Sequence, residues 1–373
     1  MTVLMTPDVV VVGAGPAGTI AGGQIARSGF EVLIIEKENS PGQNKVCGGT
    51  MAKTSFLDLG LPKEIVEKES HKLVFHFPKE RHEIQSKSGL IVFDREKLDQ
   101  FLAQKAIENG AKLMTSTVVD DATRSCDGMV VHFKKLQHGE SGEVRCRLVV
   151  FADGTTTLAN RRLKIGFQMQ PECTSLAAAV YVNWQHNPSD SLNFFVSNDV
   201  SPFGYGWIFP KKDSINVGVM CLLSRMKQDI RQCLKRLMIS EGLCSREILM
   251  YGSRFIPQSF AKKLFDDSLL VIGDAAGTAD PITGGGISNA AASAKIAASV
   301  VTEALEAQET TADVLSRYES MWKNTRNYRN LMNKYWIQKL SLKTGINPII
   351  FARLGGSDLN TSLKRLSASS KGL

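Results

Sequence analysis

Apolar residues are arranged along this chain in two distinguishable ways. Near the N-terminus, Val9–Val12 and Val32–Ile35 are uninterrupted apolar runs, and LVVFADG from Leu148 and LLVIGD from Leu269 repeat the form. Continuous apolar runs closed by glycine predict strands buried on both faces, as in a parallel sheet. The stretch from Pro16 to about Ser28 is rich in alanine and reads as a helix, as does the Ala-rich run after Gly286. By contrast, YGWIF at 205–209 alternates with period two, which places Tyr205, Trp207 and Phe209 on one strand face. Pro202 and Pro210 flank it and are expected to stop sheet pairing at either end. A last pattern, DVLSRYESMWKNTRNYRNLMNKYWIQKL, predicts helix with mixed apolar and basic faces.

A chain of 373 residues with 43% hydrophobic and 22% charged positions has the make-up of a globular protein with a large core. The Ala/Val-rich run from Gly286 carries Ser, Asn and Lys295, so it predicts no membrane-spanning helix, and no signal peptide is visible. Seven cysteines without a CxxC pair argue against a disulfide framework and for a reducing, cytoplasmic compartment. The six histidines lack ligand spacing, so no metal is expected. The net charge of +8 is uneven: from Arg317 onward eleven Lys/Arg face only Glu319 and Asp358. A solvated helical tail is the plain reading, and contact with anionic lipid at the cytoplasmic face is the sharper one. No nucleic-acid module accompanies the charge.

The chemistry starts at DVVVVGAGPAGTIAGGQIARSGFEVLIIEK. Strand, glycine turn, helix and strand follow in the order of the dinucleotide fingerprint. Gly13 permits the tight turn, Gly15 lets backbone approach a pyrophosphate, and Gly18 allows close helix–strand packing, with Ala17 between. The helix N-terminus offers free N–H groups to the phosphates. Glu36, about 20 residues on, is placed to accept ribose hydroxyls, favouring FAD or NAD over NADP.

A second segment, LLVIGDAAGTADPITGGGISNA, decides for FAD. Asp274 is placed to accept a ribityl hydroxyl, and Gly284, Gly285 and Gly286 before the helix at Ile287 offer backbone donors. Between the two lie FDREKLDQFLAQKA, with Arg95, and FADGTTTLANRRL, with Asp153-Gly154 followed by Arg161 and Arg162. Four elements in this order resemble the FAD-dependent oxidoreductases related to the aromatic hydroxylases. That resemblance implies cofactor contacts from Arg95, Asp153 and Val119. No second GxGxxG is present, so no dedicated NAD(P)H domain is expected.

Two further segments narrow the resemblance. K-x-C-G-G at Lys45, Cys47, Gly48 and Gly49, read with SPFGYGWIFPKK, closely resembles the geranylgeranyl reductase family. P-x-x-Y-x-W-x-F-P is matched from Pro202 to Pro210, whereas the Cys–Gly–Gly spacing departs from the C-x-G-G found in part of that family. The resemblance implies reduction of prenyl double bonds by flavin hydride plus a proton, with Cys47 as acid or positioner and Lys45 and Gly48-Gly49 near the flavin. A thiol of ordinary pKa, about 8.5, is mostly protonated at neutral pH and suits a donor. A prenyl rod needs a tunnel of aromatic and aliphatic side chains, for which Tyr205, Trp207 and Phe209 are the candidate wall.

The expected architecture is α/β: a doubly wound Rossmann-type FAD-binding domain with an inserted mixed α+β substrate domain and a C-terminal helical region. Residues 1–60, 91–165 and 263–306 are assigned to the first, 61–90 and 166–262 to the second, and 307–373 to the basic helical region. The expected partners are a prenyl lipid and an electron donor, either NAD(P)H or a ferredoxin-like protein. Competing readings on the same scaffold are a monooxygenase, a halogenase with its W-x-W-x-I-P segment, an electron-transfer flavoprotein to quinone, and a non-catalytic flavin binder.

Overall fold

The computed structural model describes residues 6–350 apart from residues 46, 138 and 185–188; the part of the basic C-terminal region at 351–373 lies outside the described residues. The runs of apolar residues build the first sheet. It comprises β1 (Val9–Val12), β2 (Val32–Ile35), β6 (Lys112–Met114), β10 (Leu148–Phe151), β16 (Phe265–Asp266) and β17 (Leu269–Val271), in the order β16-β17-β10-β1-β2-β6. All pairs are parallel except β16 with β17. Val9, Val10 and Val11 are wholly buried, because helices cover one face and the strands of a small meander the other. The covering helices are α1 (Pro16–Arg27), α3 (Arg95–Glu108) and α6 (Ile287–Glu306), with α1 packed against the other two. The meander is β7 (Thr117–Ser125), β8 (Gly128–Lys135) and β9 (Ser141–Cys146). This is the Rossmann-type parallel sheet expected from the sequence, with the β-meander in place of helices on its second face.

A second, eight-stranded sheet is built from the alternating segments. Its strands are β3 (Thr50–Ala52), β4 (Val66–Phe77), β5 (Glu80–Phe93), β11 (Thr174–Asn183), β12 (Ser191–Phe195), β13 (Tyr205–Pro210), β14 (Ser214–Leu222) and β15 (Ile248–Pro257). Their order is β15-β11-β14-β13-β12-β4-β5-β3, so β13 lies in the interior of the sheet. Two short helices, α2 (Lys53–Asp58) and α4 (Leu158–Leu163), serve as connectors, and α5 (Ile230–Ser240) packs on β11 and β14. Pro210 is the last residue of β13 and still faces Ile215 across the ladder. Pro202 precedes the strand, and its carbonyl accepts a hydrogen bond from Leu222 N–H at 3.1 Å, so pairing extends past it on that side. Proline is tolerated at both places because neither needs to donate.

The C-terminal helices α7 (Ala312–Lys323) and α8 (Arg326–Thr344) pack on the body. Leu315, Tyr318 and Trp322 of α7 and Leu331 and Ile337 of α8 are buried. Of the two expected faces, the apolar one is therefore covered by protein. Among the described residues, no helix is long and apolar enough to cross a membrane.

Candidate functional site

The N-terminal turn has the geometry its glycines predict. Gly13 has φ +101°, and a Cβ there would lie 2.6 Å from the Ala152 carbonyl oxygen. A Cβ on Gly18 would lie 1.9 Å from the Gly13 oxygen, so α1 and β1 approach only because that position is glycine. A Cβ on Gly15 would meet nothing within 4 Å, which leaves open space above the first turn of α1. No side chain caps that helix, so its N–H groups remain free. Glu36 is buried beneath the turn and accepts Ala14 N–H at 2.7 Å and Glu38 N–H at 3.1 Å. Val119 is buried on β7, whose first residue, Thr117, donates its N–H to the Glu36 carbonyl.

The second turn mirrors the first. Gly273 has φ +62° and faces Ala17, a Cβ there falling 2.8 Å from the Ala17 methyl. Gly286 precedes Ile287 and α6 without any side-chain cap, and a Cβ on it would lie 2.9 Å from Asp274 Oδ1. Burial raises the Asp274 carboxyl pKa, opposed by the charges of Arg254 and Arg95. Gly284 has φ +71° and abuts Met220, while Gly285 stays nearly open. Asp153 accepts Leu158 N–H at 2.6 Å, but its Oδ1 is buried without a partner, and burial raises its pKa. Arg161 and Arg162 project to solvent instead, and Arg162 pairs with Asp121 at 3.6 Å.

Between the turns lies a charged cluster. Arg95 is buried and forms a two-pronged pair with Asp99, at 2.8 Å and 3.1 Å. Lys45 adds a contact to Asp99 at 3.3 Å, and burial lowers its ammonium pKa against the pull of that carboxylate. The Arg95 guanidinium also hydrogen-bonds the Cys47 side chain; although burial opposes the charge, Asp99 and Cys47 together hold its pKa above the ordinary value. Gly49 N–H donates to Cys47 Sγ at 3.4 Å.

The aromatic strand closes the site. Successive ring centroids of Tyr205, Trp207 and Phe209 are 5.8 Å and 6.3 Å apart, so the three share a face. Phe194 of β12 joins them at 5.7 Å from Tyr205 and 5.1 Å from Phe209, and Phe75 stacks on Phe194 at 4.9 Å. The Cys–Gly–Gly loop lies directly on this wall: a Cβ on Gly48 would be 3.2 Å from the Phe209 ring and 3.7 Å from Trp207 Nε1. Gly49, at φ +63°, leaves only 2.7 Å between such a Cβ and the Phe93 oxygen.

Polar contacts fasten the strand and its neighbours to the surrounding segments. Tyr205 donates to the Thr283 carbonyl at 2.6 Å in the glycine loop. Trp207 Nε1–H donates to Asn216 Oδ1, and Asn216 Nδ2 donates in turn to the Cys47 carbonyl at 3.1 Å. Lys211, with its ammonium over the Tyr181 ring at 4.5 Å, reaches Asp94 at 3.8 Å beside Arg95. The Tyr181 hydroxyl is hydrogen-bonded to the Cys47 backbone. Asn216, Tyr181, Asp99, Lys211 and Phe194 are absent from the sequence-based set. Asn216 left one trace, a lone amide in the apolar run SINVGVMCL.

Two uncapped helix N-termini, an open glycine position between them and an unpartnered carboxylate oxygen fit a dinucleotide with a flavin end. The chain matches the FAD binding domain family over residues 6–325, most of its length, and is a flavoprotein of that fold with FAD as its cofactor. It is 30% identical to the digeranylgeranylglycerophospholipid reductase of Methanothrix thermoacetophila over 365 residues, 95% of this chain and 90% of that protein. The chain belongs to the geranylgeranyl reductase family of FAD-dependent oxidoreductases. A Thermoplasma acidophilum structure described as geranylgeranyl bacteriochlorophyll reductase-like superposes with a TM-score of 0.83 at 24% identity, covering 94% of this chain and 90% of that one. A flavin-dependent brominase superposes with a TM-score of 0.72 at 19% identity, covering 99% and 100%, which places the halogenases on the same scaffold and says no more.

Proposed function

We propose that this chain saturates carbon–carbon double bonds of a geranylgeranyl or related prenyl chain carried on a lipid. The observation that carries the reading is the direct seating of the Cys47–Gly49 loop on the rings of Trp207 and Phe209, with Tyr205 fastened to the glycine loop. Reduced FAD, when bound, supplies a hydride to one alkene carbon. The chain supplies the rest. The wall of Phe194, Tyr205, Trp207 and Phe209 aligns an apolar rod and excludes water, which an unactivated alkene requires. Cys47, held by Gly49 N–H and Arg95, gives a proton to the other carbon, so one C=C becomes CH–CH. Glu36, Asp274 and the turns at Gly13–Gly18 and Gly284–Gly286 hold the cofactor, with Lys45, Arg95, Val119, Asp153 and Ile287 around it. The eight-stranded sheet is the substrate unit, and a reductant, either NAD(P)H or a ferredoxin-like protein, restores the flavin.

The exposed face of α8 carries Trp336, 60% accessible, among basic residues with no acid on the helix. This supports contact with an anionic membrane surface, which suits a lipid substrate. Loss of sedimentation with anionic vesicles on Trp336→Ala supports that contact, and binding independent of lipid charge overturns it.

The reaction is tested by incubating the reduced protein anaerobically with a geranylgeranyl lipid and weighing the product. Mass gain in steps of two hydrogens is expected. Oxygen consumption with an oxygenated or halogenated product overturns the reading. Cys47→Ala should retain FAD and lose about 100-fold or more in turnover; full turnover removes Cys47 as the acid.

A further inference from the structure

The loop Asp280–Gly285 is closed on itself by one residue. Asp280 N–H donates to the Gly285 carbonyl and Gly284 N–H donates to the Asp280 carbonyl, each at 2.9 Å. Asp280 Oδ1 accepts the N–H groups of Ile282 at 2.9 Å and Thr283 at 3.0 Å. One carboxylate oxygen is thereby consumed in shaping the turn. The other, Oδ2, pairs with the Lys334 ammonium from α8, 54 residues along the chain. A second tie runs in parallel. The Pro281 carbonyl accepts from Gln258 Nε2 at 2.8 Å, and Gln258 Oε1 accepts from Gln338 Nε2 at 2.8 Å and from Ser175 Oγ at 2.7 Å. A third contact joins Asn327 Nδ2 on α8 to Asn289 Oδ1 in the first turn of α6, at 3.0 Å.

We propose that α8 is a positioning element for the cofactor loop, with Lys334 and Gln338 as its positioning residues. The inference rests on the reading that Gly284–Gly286 and the start of α6 face the flavin. Lys334 and Gln338 lie four apart, on one face of the helix. That face meets the loop while Trp336 points outward. Apolar packing of Leu331 and Ile337 already holds α8 to the body, so these polar ties are not needed to retain the helix. Their directed bonds instead fix the orientation of the peptide groups from Pro281 to Thr283. Turn peptides point their N–H groups only as accurately as the anchors that hold them, and a charge-assisted anchor is the stronger kind. Tyr205 grips the next carbonyl in the same loop, at Thr283, so a shift of the loop also reaches the aromatic wall.

The test uses the full chain with FAD. Lys334→Met should weaken FAD binding about tenfold, shift the visible flavin absorption, and lower kcat with KM within about twofold, while the Asp280 carboxylate left unpaired lowers the melting temperature by a few degrees. Lys334→Arg should restore most of each. Gln338→Leu should move the same readouts in the same direction by less, and it keeps the test alive if Lys334→Met fails to fold. Wild-type flavin affinity and spectrum in both Lys334→Met and Gln338→Leu overturn the proposal. Gly286→Val separates the two levels of the argument. If it loses FAD while the α8 variants do not, only the role of α8 fails; if it also keeps FAD unchanged, the loop does not face the flavin and both fall.

Discussion

The two sheets meet at the site but are built on different terms. The six-stranded sheet uses strands of two to four residues, nearly all parallel and buried on both faces, and its proposed contribution to the site is the backbone of the turns that follow β1 and β17. The eight-stranded sheet uses longer, mostly antiparallel strands, and its proposed contribution to the site is a set of rings on one face: Phe75, Phe194, Tyr205, Trp207 and Phe209. A backbone site excludes an added Cβ wherever the turn folds back on the sheet, as at Gly13, Gly18 and Gly273. A side-chain site depends on polar residues that orient the rings, and those come from anywhere along the chain.

The difference makes the two regions separable by mutation. The largest effect is expected on the backbone side. Gly18→Val places a side chain 1.9 Å from the Gly13 oxygen, forcing α1 off β1. Flavin content should fall by about 100-fold and stability by roughly 3 kcal/mol, read from absorbance and urea unfolding. Retention of flavin would mean that this turn does not clamp the cofactor.

Asn216→Leu tests the side-chain region. It strands the buried Trp207 Nε1–H and leaves the Cys47 carbonyl without its donor. Stability should drop by about 2–6 kcal/mol, from two groups at about 1–3 kcal/mol each. FAD should remain bound while turnover falls by about tenfold or more. If flavin leaves with the activity, the two regions are not separable.

The smallest effect is on the flavin-free protein. Burial, countered by Arg254 and Arg95, raises the Asp274 pKa above its unfolded value. Ionisation therefore disfavours the folded state. That cost is fully present above the raised pKa and is relieved as pH falls toward the ordinary aspartate range. Asp274→Asn apoprotein should melt higher than wild type near neutral pH, on the order of 2 °C, with the gap closing on acidification. The same variant should bind FAD more weakly. A gap that widens as pH falls would contradict the assigned sign.

The legibility of each region follows from the same difference. Strands β1 and β2 coincide with the apolar runs Val9–Val12 and Val32–Ile35, because a strand buried on both faces has no polar positions to blur its limits. The three rings of β13 share a face because period-two geometry requires it. Asn216 stayed hidden, since its meaning depends on Cys47, 169 residues away. Lys334 stayed hidden within a basic tail whose other lysines and arginines share its composition.

The sequence by itself determined the glycine turns, the acid at Glu36, the ring alternation and the family, because each is a local pattern imposed by backbone conformation or strand period. Only the tertiary structure decided that the Cys47 loop rests on the rings, that Asn216 joins them, and that α8 grips Asp280. Those are contacts between distant segments, and what selects them is the pairing of buried polar groups once the two sheets have packed.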